Sequence, residues 1–150
     1  MFPEIASLEL RHAPELNKRQ HAKAMREALK SAAVHHRDVT LGKHFKNVAE
    51  TAPGGAYGYS KRSEKYTARK LKRFGHSRPN ELTGRSKRFV RNNSSVTATQ
   101  VRSRLRIRFP FPMNDQRRAE MEAITATEVA ESQKLAGGVY AGGAKQVVTK

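Results

Sequence analysis

The stretch Tyr57–Pro112 constrains the fold more than any other part of this 150-residue sequence. From Tyr57 to Phe111 it carries sixteen Lys or Arg against two acids, Glu64 and Glu81, a balance of +14 in a chain of +17. Residues 1–56 contribute +3 and residues 112–150 are neutral. Charge concentrated in this way builds a field of several kT and favours a polyanion or an acidic partner surface over a merely solvated face. The charge is also ordered. In Arg104–Phe111 (RLRIRFPF) the side chains of Arg104, Arg106 and Arg108 fall on one face of a strand, and those of Leu105, Ile107 and Phe109 on the other. That alternation reads as a half-buried strand with an outward arginine ladder, not as a basic tail.

Such a chain has room for one domain with a modest core. Its apolar content of 37% and mean hydropathy of −0.77 are low for a globular protein, which suggests stability gained from partners. Cysteine is absent, so disulfides and Cys-based zinc sites are excluded. The first residues hold acids where a secretory leader needs a basic region, and no apolar run approaches the roughly 20 residues that span a bilayer. The expectation is a protein made and used in a cytosol-like compartment, with no membrane partner.

Residues 1–13 read as an N-terminal arm. Pro14 suits the first position of a helix. Ala22, Met25, Leu29, Ala32 and His36 then recur at helical spacing, predicting an amphipathic helix over 14–37. Phe45, Val48 and Ala49 suggest a second short helix, ended by Pro53-Gly54-Gly55. Tyr57 and Tyr59 follow in a Gly/Tyr loop, where packing is the expected role and base stacking the alternative. Ser63 and Gly75 bracket a helix over 63–74, capped at one end and stopped at the other, with Tyr66, Leu71 and Phe74 as its apolar edge. After Thr83-Gly84-Arg85, Phe89 and Val90 return to the core, and Asn92–Ser95 make a turn. A hairpin pairs 96–100 with 104–109, ended by Pro110 and Pro112. Asn114 or Asp115 caps a helix that runs to about Leu135 and stops at Gly137-Gly138. The fold expected is α+β: long N- and C-terminal helices packed on a small antiparallel sheet, a single domain over 14–136, and a Gly-rich C-terminal arm over 137–150.

Chemistry is hard to find in this sequence. The six histidines are scattered, no HExxH occurs, and no acid stands at ligand spacing from a histidine pair. No serine lies in a GxSxG elbow, and Glu64 and Glu81 do not make the carboxylate cluster that Mg²⁺-dependent cleavage needs. No glycine pair belongs to a phosphate-loop pattern, and no zinc-finger, RNP or KH signature is present. A non-enzymatic protein without cofactor, metal or small-molecule substrate is expected. The candidate contacts to a polyanion or acidic partner are Arg69, Lys70, Lys72, Arg73, Arg85, Arg88, Arg104, Arg106 and Arg108. Contact of that kind is directed at phosphate and indifferent to base sequence.

The order of features from Tyr57 onward resembles a known group. A YGY loop leads into KRSEKYTARKLKRFGH, then PNELTGRSKR, a VTAT strand, LRIRFPFP and a final RRAEMEAITATEVAE helix. In this order the chain is similar to the small virion proteins of tailed bacteriophages that complete the tail or join head to tail. The likeness rests on Pro79, Leu82, Thr83, Gly84 and Arg85 in the turn, and on Arg117, Arg118, Glu120 and Ile124–Glu128 in the helix. It covers about two thirds of the chain through short motifs. A hydrophobic residue usual after Thr-Gly-Arg is here Ser86, and the proline stands further from Thr-Gly, so adaptor, stopper, terminator and completion protein all stay open. The resemblance implies a ring-forming subunit at the head–tail joint, touching portal, neck or tail proteins and making non-specific contact with DNA in the channel. It implies location in the virion after synthesis in the host cytoplasm. The alternatives are an RNA-binding protein of a ribosome-like particle and a DNA-binding accessory factor that uses the helix Ser63–Phe74.

Overall fold

The structure, a computed structural model, describes residues 16–46, 57–60, 62–80 and 83–148. The expected N-terminal arm, the helix start at Pro14, the residues Val48 and Ala49, and the glycine pair at 54–55 lie outside the described residues. The chain is α+β, with helices and one two-stranded antiparallel sheet. The chain divides into two compact units, each built from separated segments. The first takes Met1–His36, Ser95–Arg106 and Ala126–Lys150; the second takes Arg37–Ser94 and Ile107–Thr125. Two apolar clusters that share no residue underlie the division.

The first unit begins with α1 (Lys18–His35). Asn17 and Gln20 form a reciprocal capping box: the Gln20 amide donates to Asn17 Oδ1 at 2.9 Å and the Asn17 amide to Gln20 Oε1 at 3.0 Å. Two orphan amides of the first turn are thereby satisfied, which explains why the helix starts here. Its buried face is Met25, Ala28, Leu29, Ala32 and Ala33, close to the predicted stripe. Against it lies α6 (Ala126–Val148), contributing Ala136 and Tyr140. Burying a side chain such as Leu29 contributes about 1.5–3 kcal/mol. The hairpin of β1 (Ser95–Ala98) and β2 (Ser103–Arg106) packs on α1 as well, with Val96 opposite Leu105 and Thr97 opposite Arg104.

The expected long C-terminal helix differs in two ways. It is interrupted at Ala123–Thr125, so that α5 (Asp115–Glu122) belongs to the second unit and α6 to the first. It also runs through Gly137-Gly138 instead of stopping there, and residues 137–148, expected as an arm, are helical. Each glycine costs a helix interior about 1 kcal/mol relative to alanine. Burial of Ala136 and Tyr140 against α1, together with the 2.8 Å contact of Tyr140 Oη with His21 Nδ1, outweighs that cost.

Beyond α1 the helical path continues through a π-helical segment, His36–Thr40, into the single turn α2 (Leu41–Lys43), the second unit beginning at Arg37. Leu41 and Phe45 from this region join Tyr57, Tyr59, Val90 and Met121 in one core, flanked by Ile107, Phe109, Met113 and Ala123. The rest of the unit is α3 (Glu64–Phe74), α4 (Arg85–Asn93) and α5. The expected turn at Asn92–Ser95 is therefore mostly helix: Asn92 and Asn93 end α4 and Ser94 caps it in extended geometry.

Candidate polyanion interface

Helix α3 forms where the sequence reading places it. Ser63 is the N-cap, its hydroxyl accepting from the Tyr66 amide at 3.3 Å. Gly75 ends the helix in the left-handed conformation, φ 72°, which a side chain would strain, and its amide donates to the Leu71 carbonyl at 2.8 Å. The rotation of the helix differs from expectation. Tyr66 and Leu71 are exposed, at 46% and 54%, while Lys70 is buried at 5%. The inward face is Thr67, Lys70 and Phe74, spaced three and four apart. The Lys70 ammonium donates to the Arg78 carbonyl, and its Nζ lies 5.8 Å from the centre of the Tyr66 ring. Lys70 is thus a structural cation, set apart from the other candidates. Arg69, Lys72 and Arg73 share the opposite, solvent-facing side.

Gly84, at φ 79°, opens α4, where Arg85 and Arg88 are exposed one turn apart. Val90 is buried at 1%, as expected, but Phe89 is 37% exposed and does not return to the core. Arg108 is exposed too, and its amide donates to Ser94 Oγ at 3.2 Å. Of the nine predicted residues, seven (Arg69, Lys70, Lys72, Arg73, Arg85, Arg88 and Arg108) belong to the second unit. Eighteen basic and seven acidic residues give this unit +11 of the chain's +17.

The arginine ladder is exposed as the alternation predicts, at Arg104, Arg106 and Arg108, but β2 ends at Arg106. Both strands are shorter than expected. Thr99 Oγ1 accepts from the amides of Val101 at 3.2 Å and Arg102 at 3.1 Å, closing the turn early. The apolar side of the ladder is shared out: Leu105 is buried in the first unit, and Ile107 and Phe109 pack against the core of the second.

The second unit also holds a buried polar network that sequence reasoning missed in part. Tyr57 stacks on His44 with ring centres 3.8 Å apart, and both rings are buried. Tyr59 Oη lies 2.9 Å from His44 Nδ1, accepts from Asn80 Nδ2 at 3.1 Å and approaches Met121 Sδ at 3.2 Å. Burial, and secondarily the charge of Glu120, pushes the Tyr59 hydroxyl far above its ordinary range. Glu120, itself 4% exposed, accepts from the Ser60 amide and from Arg62 Nη2, each at 3.1 Å. Tyr57 therefore serves as a packing group, and Tyr59 as a packing and hydrogen-bonding group. Asn80 takes a positive φ of 54°, a conformation asparagine tolerates well. The asparagine after Pro79 was the one available signal.

Among the described residues no three His, Asp or Glu side chains come together to hold a metal ion, and no helix is long and apolar enough to cross a membrane. Comparison with protein-family models, curated proteins and solved structures finds no match to this chain.

Proposed function

We propose that this chain is a non-enzymatic structural subunit of a tailed-phage virion, assembled as a ring at the head–tail joint. The observation that carries the reading is the order of elements. An N-terminal helix, a lysine-rich helix, a Thr-Gly-Arg turn with Gly84 in left-handed geometry, a small hairpin and C-terminal helices occur in that order, with α4 between turn and hairpin and with the C-terminal helix broken into α5 and α6. Physical features agree with it. Each unit has a small core, and large apolar side chains (Tyr66, Leu71, Phe89 and Val101) are left exposed beside cations. A subunit of this kind gains stability from its neighbours on assembly. The exposed Arg104, Arg106 and Arg108 contact DNA or the acidic rim of a neighbouring ring. Light scattering of the purified chain at low and high salt, with and without DNA, tests the proposal. A discrete oligomer that persists in high salt is expected, and changing the three arginines to Glu should abolish assembly onto the neighbouring component. A monomer under every condition would sink the reading.

The concentration of +11 in the second unit favours a second reading, a nucleic-acid-binding protein of a ribosome-like particle or a DNA accessory factor. It is distinguished by salt. Binding through n phosphates weakens with a log–log slope of about −0.7n to −0.9n, whereas apolar contacts between subunits resist salt. Replacing Arg69, Lys72 and Arg73 by Ala should flatten that slope.

A further inference from the structure

The hairpin of the first unit has two unlike faces. On the face turned to α1, Val96 pairs with Leu105 and Ala98 with Ser103, and none of these four is exposed. On the other, Ser95 stands opposite Arg106 and Thr97 opposite Arg104, and all four are exposed. Neither arginine makes an ion pair among the described residues. The sequence holds no Asp or Glu between Glu81 and Asp115, so the hairpin offers its arginines no acid of its own. The strands pair only with each other, and the outward face has no layer over it among the described residues. It is a narrow two-stranded ribbon, backed by a helix, that presents guanidinium and hydroxyl groups to solvent.

We propose that this face binds duplex DNA, seating the hairpin in the major groove with Arg104 and Arg106 directed at base edges. The proposal rests on the reading that the ladder contacts DNA and not a neighbouring ring, and it names the form of nucleic acid and the groove. The major groove of B-form DNA admits a two-stranded ribbon, and the side chains on this ribbon are of the types that read it. Arginine forks onto the O6 and N7 acceptors of guanine, and serine and threonine bond to donors or acceptors alike. Other polyanions fit less well. Single strands are held on aromatic platforms, and Ser95–Arg106 contains no aromatic residue. Duplex RNA has a major groove too deep and narrow for side chains to read. A protein interface has an apolar and aromatic centre, whereas the four outward side chains are all polar, and the exposed Val101 stands in the turn.

Fluorescence anisotropy of the full chain on labelled, guanine-rich duplexes at fixed salt tests it. A DNA duplex should bind about tenfold tighter than the RNA duplex of the same sequence. Replacing guanine by its deaza analogue, which lacks the N7 acceptor, should weaken DNA binding about tenfold, the worth of one charge-assisted hydrogen bond. Arg104→Gln combined with Arg106→Gln should weaken the natural duplex at least about tenfold and bind both duplexes equally. Arg69→Gln combined with Arg73→Gln, an equal loss of charge on α3, should leave the preference for the natural duplex in place. Equal binding of natural and deaza DNA by the unaltered chain would mean contact with phosphate alone and would overturn the proposal, whatever the variants do. Polyglutamate that displaces the duplex at equal charge, and no longer binds the Arg104 and Arg106 variant, would give the face to an acidic protein instead. Failure here is separable from failure of the broader readings. A chain that forms a discrete oligomer but binds no DNA sinks this proposal and leaves the assembly reading standing. DNA binding lost through Arg69 and Arg73 but not through Arg104 and Arg106 keeps the nucleic-acid reading and removes the hairpin from it.

Discussion

The two units are stabilised by different chemistry. In the first, α1 and α6 meet through Ala28, Ala32 and Ala136, with Met25, Leu29 and Tyr140 filling the remaining space. In the second, an aromatic and polar core of Phe45, His44, Tyr57, Tyr59 and Met121 is joined by Val90 of the basic helix α4. Counted over the whole sequence, the first unit carries +6 and the second +11. Small side chains let two helices approach closely without demanding any polar match. Buried rings with hydroxyl and imidazole groups demand a complete set of partners, because an unmet one costs about 1–3 kcal/mol. The second unit is thus the more specific of the two and the more easily broken.

The sharpest break should come at Phe45, 2% exposed and among the largest fully buried side chains of the second unit. Phe45→Ala is expected to destabilise by about 3–5 kcal/mol, seen in urea unfolding and as lost amide protection over α3 and α4. If protection there survives while that of α1 and α6 falls, the division of the cores drawn above is mistaken.

Alkaline pH should separate the units next. Tyr59 keeps its proton in the folded state far above the ordinary tyrosine range, held there by burial and then by Glu120. The unfolded chain releases that proton near pH 10, so above it the unfolded state binds fewer protons than the folded one. Stability then falls as pH rises, by up to about 1.4 kcal/mol per unit. Tyr59→Phe should flatten that fall in urea titrations between pH 9 and about 11, even though it loses the contacts to His44 and Asn80 at neutral pH. An unchanged slope would mean that Tyr59 ionises freely in the folded state.

What could be read from the sequence follows the same contrast. Local signals were legible: the Ser63 and Gly75 ends of α3, the Asn114 cap of α5, the alternation at Arg104–Phe109 and the helical stripe from Met25 to Ala32. The capping box of Asn17 and Gln20 is equally readable, as Asn-x-x-Gln ahead of an apolar stripe, and places the helix start after Pro14. Long-range facts were not legible. Nothing local shows that Lys70 turns inward while Leu71 faces solvent, since that depends on the carbonyl of Arg78. The split between Leu105 and Ile107 was hidden as well, because alternation assigns side chains to faces and not to cores.

The glycines of α6 allow the gentlest test of the first unit. Gly-Gly is ordinarily a helix stop, yet α6 passes through Gly137-Gly138 and Gly142-Gly143 because packing on α1 holds it. A Cβ built at Gly138 or Gly142 would meet nothing within 4 Å, and neither position has a positive φ, so alanine fits both. At Gly143 it would come to 3.9 Å from Ala24 Cβ, an ordinary contact that leaves less freedom. Gly138→Ala and Gly142→Ala should therefore each raise stability by about 0.5–1 kcal/mol, through helix propensity and a less disordered unfolded chain. Circular dichroism on thermal unfolding would register the gain as a higher midpoint, additive in the double variant. A loss instead would mean that α6 uses those bare backbone positions to seat another chain, with glycine kept for close approach and not tolerated for want of pressure against it.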